Sequence, residues 1–209
     1  MISKAINLVT IYTIIFFLII AFHATGQEQS NSNLAVSKIA GKQLFFAKNC
    51  GECHTLSDKA DGDKSPMATT RDEEWFAGHL AENAEVVLRK ERSKRRQKRT
   101  AREEATMLKA YLEAATSGEK KQINAMPKNV FLGAYLFAQN KCVNCHTVAG
   151  YGKDTGPDLT KTAQDHNHEW FIKNMVDPKQ FAPDTEMPSF EDLPEKTRNQ
   201  IADYLSTLK

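Results

Sequence analysis

The sequence predicts an all-α fold made of two small tandem domains. Three observations predict it: helical apolar spacing with no strand signals, an internal repeat, and a cysteine–histidine motif that occurs once in each repeat. Adding 92 to Gly41, Leu44, Phe45, Cys50, Cys53, His54 and Thr55 lands on Gly133, Leu136, Phe137, Cys142, Cys145, His146 and Thr147. Further along, Glu74-Trp75-Phe76 recurs as Glu169-Trp170-Phe171 at an offset of 95, and Tyr111-Leu112 as Tyr204-Leu205 at 93. The drift places insertions in loops, where they are tolerated. The spacing sets the domains at 34–116 and 128–209, joined by a polar linker over 117–127.

The chain opens Met-Ile-Ser-Lys and runs apolar from Ala5 to Ala24, with Ala24-Thr25-Gly26 before Gln27. One lysine, an apolar core and small residues at its end predict an export signal over 1–26. The rival reading is an uncleaved anchor, because the run approaches the length of a bilayer span. Either way the folded part is delivered across a membrane, to the periplasm or the outer face. Residues 27–33 are polar and read as a tether. The remainder has ordinary globular composition, 41% apolar and 26% charged. A net charge of +2 gives no argument for nucleic acid.

Each repeat then leads into Cys50-Gly51-Glu52-Cys53-His54 or Cys142-Val143-Asn144-Cys145-His146, which together use all four cysteines. C-x-x-C-H is the covalent attachment signature of c-type haem: two thiols bond one edge of the porphyrin and the next residue supplies the proximal imidazole. Two matches predict two covalently bound haem c groups, with His54 and His146 on iron. Zinc held by two C-x-x-C pairs leaves both histidines unexplained. A unit of about 80 residues is also short of core material, which a porphyrin would supply. The closing helices carry apolar residues at helical spacing: Met107, Leu108, Tyr111 and Leu112 in one, Ile201, Tyr204, Leu205 and Leu208 in the other.

The order Gly-x-x-Leu-Phe, C-x-x-C-H, glycine-proline loop, Trp helix, Met-Pro loop and Tyr-Leu closing helix resembles class I cytochrome c. The second repeat matches over nearly its whole length; the first matches at both ends and departs in the middle. The resemblance implies that first and last helices cross around the glycine. It also implies that the Pro157 carbonyl receives the proximal imidazole N–H and that Met187, in Asp184-Thr185-Glu186-Met187-Pro188, is the distal ligand. Met175 lies inside the Trp helix and reads as core. Pro66 is taken as the counterpart of Pro157.

The first repeat has no methionine in the matching loop, Glu85 to Arg99; Met187 falls opposite Ser93. Met67 lies on the proximal side and Met107 in the closing helix. His79, opposite Asn174, is the foremost candidate for sixth ligand, against a lysine such as Lys90 or Lys94, or an open site. His54/His79 ligation would give the first haem a lower potential than the His146/Met187 haem. His166 and His168 read as surface residues.

Residues 89–99 (RKERSKRRQKR) replace the methionine loop. They form a docking surface for an acidic redox partner, haem propionates or anionic headgroups, or simply a solvated segment. The function expected is an electron carrier or the cytochrome subunit of a respiratory complex, with no enzymatic activity. The alternative is a dihaem peroxidase or small-ligand reductase with an open first haem. A sensor is a third reading, although no signalling domain is attached.

Overall fold

The computed structural model describes residues 34–56, 59–67, 70–83, 93–115 and 117–209. The leader over 1–26, the tether over 27–33, Lys90 and the first part of the basic run (89–92) lie outside them. Among the described residues no helix is long and apolar enough to cross a membrane.

The first repeat comprises α1 (Val36–Ala47), a 3₁₀ turn over Cys50–Glu52, α2 (Glu73–Asn83) and α3 (Lys94–Ala115). A connecting helix, α4 (Lys120–Ala125), leads to the second repeat: α5 (Lys128–Gln139), a 3₁₀ turn over Cys142–Asn144, α6 (His168–Val176) and α7 (Glu195–Leu205). Among the described residues sheet is confined to two-residue pairs. β1 (His54–Thr55) runs parallel to β2 (Ser65–Pro66), and β3 (Thr147–Val148) antiparallel to β4 (Tyr151–Gly152). The fold is all-α.

Within each repeat the first and last helices cross on a glycine. A Cβ on Gly41 would stand 2.0 Å from the Met107 carbonyl oxygen and 2.7 Å from Tyr111 Cβ. On Gly133 it would stand 2.1 Å from the Gln200 oxygen and 2.7 Å from Tyr204 Cβ. Only a residue without a side chain lets the backbones approach this closely. Around the crossings Ile39, Leu44, Leu108, Tyr111 and Leu112 are buried in one repeat, and Phe137, Ile201, Tyr204 and Leu205 in the other. Phe45 meets the Tyr111 ring at 5.7 Å and Phe137 meets Tyr204 at 5.8 Å.

The segment expected to be a polar linker is more than that. Its apolar residues Ile123 and Met126 are buried, and α4 is fastened to α1 by Lys38–Glu119 at 2.7 Å and by Lys42 Nζ donating to the Ile123 oxygen at 3.0 Å. Lys42 also lies over the Phe131 ring, 4.1 Å from its centroid. Burial holds the Lys42 ammonium below its ordinary pKa.

The repeats pack through equivalent helices, α1 against α5. Lys48 and Glu104 form an ion pair at 2.9 Å with side chains only 2% and 5% exposed. Across the seam Tyr135 Oη stands 3.5 Å from Glu104 Oε1 and accepts from Gln139 Nε2 at 3.3 Å. Burial, reinforced by the Glu104 charge, pushes the Tyr135 phenol well above its usual range. Lys141 of the second repeat pairs with Glu103 of the first at 2.5 Å.

Candidate functional site

Both motifs follow the same local rule. A residue in the left-handed region, Asn49 (φ 52°) or Lys141 (φ 67°), ends the leading helix and turns the chain into the 3₁₀ turn. The turn closes with the second cysteine's N–H on the first cysteine's carbonyl, at 3.3 Å from Cys53 to Cys50 and 3.1 Å from Cys145 to Cys142. Cys53 and Cys145 are exposed; Cys50 and Cys142 are half-buried. Burial raises the Cys50 thiol and pushes that of Cys142 up to about 12. Among the described residues no three His, Cys, Asp or Glu side chains are grouped to hold a metal ion.

On the proximal side of the second site, His146 Nδ1 lies 2.8 Å from the Pro157 carbonyl oxygen. A carbonyl only accepts, so Nδ1 carries the proton and Nε2 keeps a free lone pair. Gly156 forms part of the cradle: a Cβ there would stand 3.0 Å from His146 Cε1. The loop continues into Asp158, which accepts from Thr160 N at 2.7 Å and from the Thr160 hydroxyl; these bonds hold its carboxyl below the usual range.

The distal side is built on α6. Asn167 caps this helix by accepting from Trp170 N at 2.9 Å. The methionine loop is stapled to its far end, with Phe190 N donating to Met175 O at 2.8 Å and Ser189 Oγ to Val176 O at 2.7 Å. This staple brings Met187 Sδ within 3.7 Å of Asn174 Nδ2. Met175 is buried in the core.

The first site differs on both faces. Its proximal imidazole meets a hydroxyl: Ser65 Oγ is 2.9 Å from His54 Nδ1. The sequence reading put Pro66 in this role, and the structure corrects it. Ser65 pairs with His54 across β1 and β2, while Pro66 sits one register on, opposite Thr55. The signal was available, because Ser65 is 11 residues beyond His54 as Pro157 is 11 beyond His146; matching by residue type concealed it. A hydroxyl can donate or accept, so Ser65 does not dictate the His54 tautomer as a carbonyl does.

On its distal face α2, capped by Asp72 accepting from Trp75 N at 2.8 Å, brings His79 over His54. The ring centroids are 5.9 Å apart and the ring planes 62° from parallel. Imidazole nitrogen binds a metal at roughly 2.0–2.1 Å. Adding the distance from nitrogen to ring centre on each side, two imidazoles sharing one metal stand about 6 Å apart, so the pair fits. Among the described residues, the other candidates lie elsewhere. Met107 is buried in α3, Met67 N donates to Thr55 O at 3.0 Å on the proximal side, and Lys94 is exposed in the first turn of α3. Ser93 accepts from Arg96 N at 3.2 Å and so caps α3 where the second repeat has its methionine loop. His168 pairs with Asp203 at 3.1 Å, and His166 stacks on Trp170 at 3.5 Å.

Two thiols followed by an imidazole in each repeat are the residue types that attach and ligate haem c. Comparison with known proteins agrees. The Cytochrome c family matches residues 39–128 and 130–209, and the chain belongs to this family, whose members hold haem c covalently. Over 88 residues it is 30% identical to cytochrome c oxidase subunit 2 of Alkalihalophilus pseudofirmus. That stretch is 37% of this chain and 25% of the relative, so the chain spans about a quarter of the protein it matches. No solved structure matches it.

Proposed function

We propose that the chain carries two haem c groups, one in each repeat, and serves as an exported electron-transfer protein or the cytochrome subunit of a respiratory complex. Cys142, Cys145, His146 and Met187 hold the second group; Cys50, Cys53, His54 and His79 hold the first. When bound, the haems supply one-electron chemistry, and the protein's part is to fix ligands and exclude water. Pro157 orients His146, Asn174 faces the Met187 sulfur, and Ser65 orients His54. Thioether ligation raises a haem potential relative to a second imidazole, so the two sites differ in potential and transfer between them has a direction. The single observation that carries this reading is the 5.9 Å spacing of His54 and His79 in a repeat that lacks the axial methionine.

The likeness to an oxidase subunit supports a respiratory setting. On the exposed first turns of α3, Lys94, Arg95, Arg96, Lys98 and Arg99 would steer an acidic redox partner, accelerating encounter in a salt-dependent way. Mass spectrometry of the mature protein should give the polypeptide plus two haems, and absorption spectra should show two low-spin centres that ignore carbon monoxide. A colourless protein, or a mass gain of one haem, would refute the dihaem reading. A wild-type first haem that is high-spin and takes up carbon monoxide would favour the peroxidase alternative instead.

A further inference from the structure

The helix that carries each distal residue presents a column at i, i+4 and i+8: Arg71, Trp75 and His79 on α2 and just before it, His166, Trp170 and Asn174 on and before α6. The members correspond one to one at the offset of 95. The indole stacks in opposite directions in the two repeats. In the second, Trp170 stacks outward on His166, at 3.5 Å and 6°, and leaves Asn174 to face the Met187 sulfur. In the first, Trp75 stacks inward on His79, at 5.0 Å and 7°, with the Arg71 guanidinium 5.4 Å from the indole on its outer side.

We propose that Trp75 is a positioning residue that sets the His79 imidazole for axial ligation of the first haem; the inference rests on the ligation proposed above. The reason lies in side-chain freedom. A histidine on a helix has two soft torsions, and the ring swings unless something fixes its plane. Near-parallel stacking on a large ring restricts that swing. Trp75 is itself held by the Asp72 cap at its backbone N–H, and Arg71 lies against its ring. With its ring plane held, His79 offers a nitrogen toward His54 at low entropic cost, the condition for a sixth ligand to outcompete water. The indole is 39% exposed and also meets the buried Phe76 ring edge-on at 5.2 Å, so Trp75→Phe, which keeps an aromatic ring there, is the control for lost packing.

The test compares Trp75→Leu, which keeps apolar bulk without a ring, Trp75→Phe, which keeps a ring, and His79→Ala, all as haem-loaded full-length protein. The readouts are carbon monoxide uptake at the first haem and its low-spin g values by electron paramagnetic resonance, with the second haem's spectrum reporting an intact fold. Trp75→Leu should make part of the first haem high-spin and reactive with carbon monoxide and shift its largest g value. Trp75→Phe should restore low-spin, unreactive behaviour, and His79→Ala should open the site fully. If Trp75→Leu keeps the wild-type g values and ignores carbon monoxide while His79→Ala opens the site, Trp75 does not position the ligand. If His79→Ala itself leaves the first haem low-spin and inert, the ligation fails and this inference with it.

Discussion

The two sites are built on one backbone plan and finished with different chemistry, and the difference separates what the fold needs from what the iron site needs. Shared by both are the glycine crossing, the left-handed residue before the 3₁₀ turn, the paired thiols and the helix presenting a tryptophan. What differs lies around the motif histidines: the Pro157 carbonyl against the Ser65 hydroxyl beside them, and Asn174 with Met187 against His79 on the tryptophan helix and the loop after it. Duplication thus kept the scaffold and varied the residues proposed to set potential.

That comparison can be broken most forcefully at the seam. The Lys48–Glu104 pair belongs to one repeat only, since the aligned positions are Asn140 and Thr197. Glu104→Gln leaves a buried ammonium without its counter-charge and should destabilise the protein by about 3–5 kcal/mol. Removing the exposed Lys173–Glu169 pair should leave stability almost unchanged. Equal small losses in chemical denaturation would show that the seam carries no such weight. A second contrast probes what the repeats share. Gly41→Ala and Gly133→Ala should each destabilise by the upper end of about 1–3 kcal/mol, because both clashes are with backbone. Similar falls in melting temperature are expected; one silent substitution would show that the crossings are not equivalent.

The smallest effect concerns acid. The folded Asp158 carboxyl is held below its ordinary pKa by Thr160, so it contributes stability that is fully present above the unfolded carboxylate value of about 3.9 and is lost as pH falls through the lowered folded value. Asp158→Asn should therefore lower stability slightly at neutral pH and flatten the acid limb, the two proteins converging once pH falls below the lowered folded value. The first repeat has Pro66 at this register and no such contribution. An acid limb identical to wild type would remove Asp158 from the account.

Much of this was legible in the sequence because it is local or repeated. C-x-x-C-H, the glycines and the apolar closing helices lie within short windows, and the repeat displays each of them twice. Ser65 was missed because proline drew the alignment to the neighbouring position, where the constant spacing from histidine would have found it. The α4 helix was hidden by composition: Ile123 and Met126 stand among mostly polar neighbours, and their burial orders the segment against α1. The seam could not be read at all. Lys48, Glu104 and Tyr135 are far apart in the chain and meet only once α1 has packed on α5.

That meeting of equivalent helices has a consequence for specificity. A surface that recognises its own copy is self-complementary, and two such surfaces in one chain invite pairing between different molecules as readily as within one. Here the aligned positions are unlike: Lys42 answers Ala134, Gln43 answers Tyr135, Ile39 answers Phe131. Lys42 lies over Phe131, and Tyr135 stands beside Glu104, so each half supplies what the other lacks. Mispaired like halves would bury the lysine without its aromatic face and the carboxylate without its phenol, a penalty that favours pairing of unlike halves.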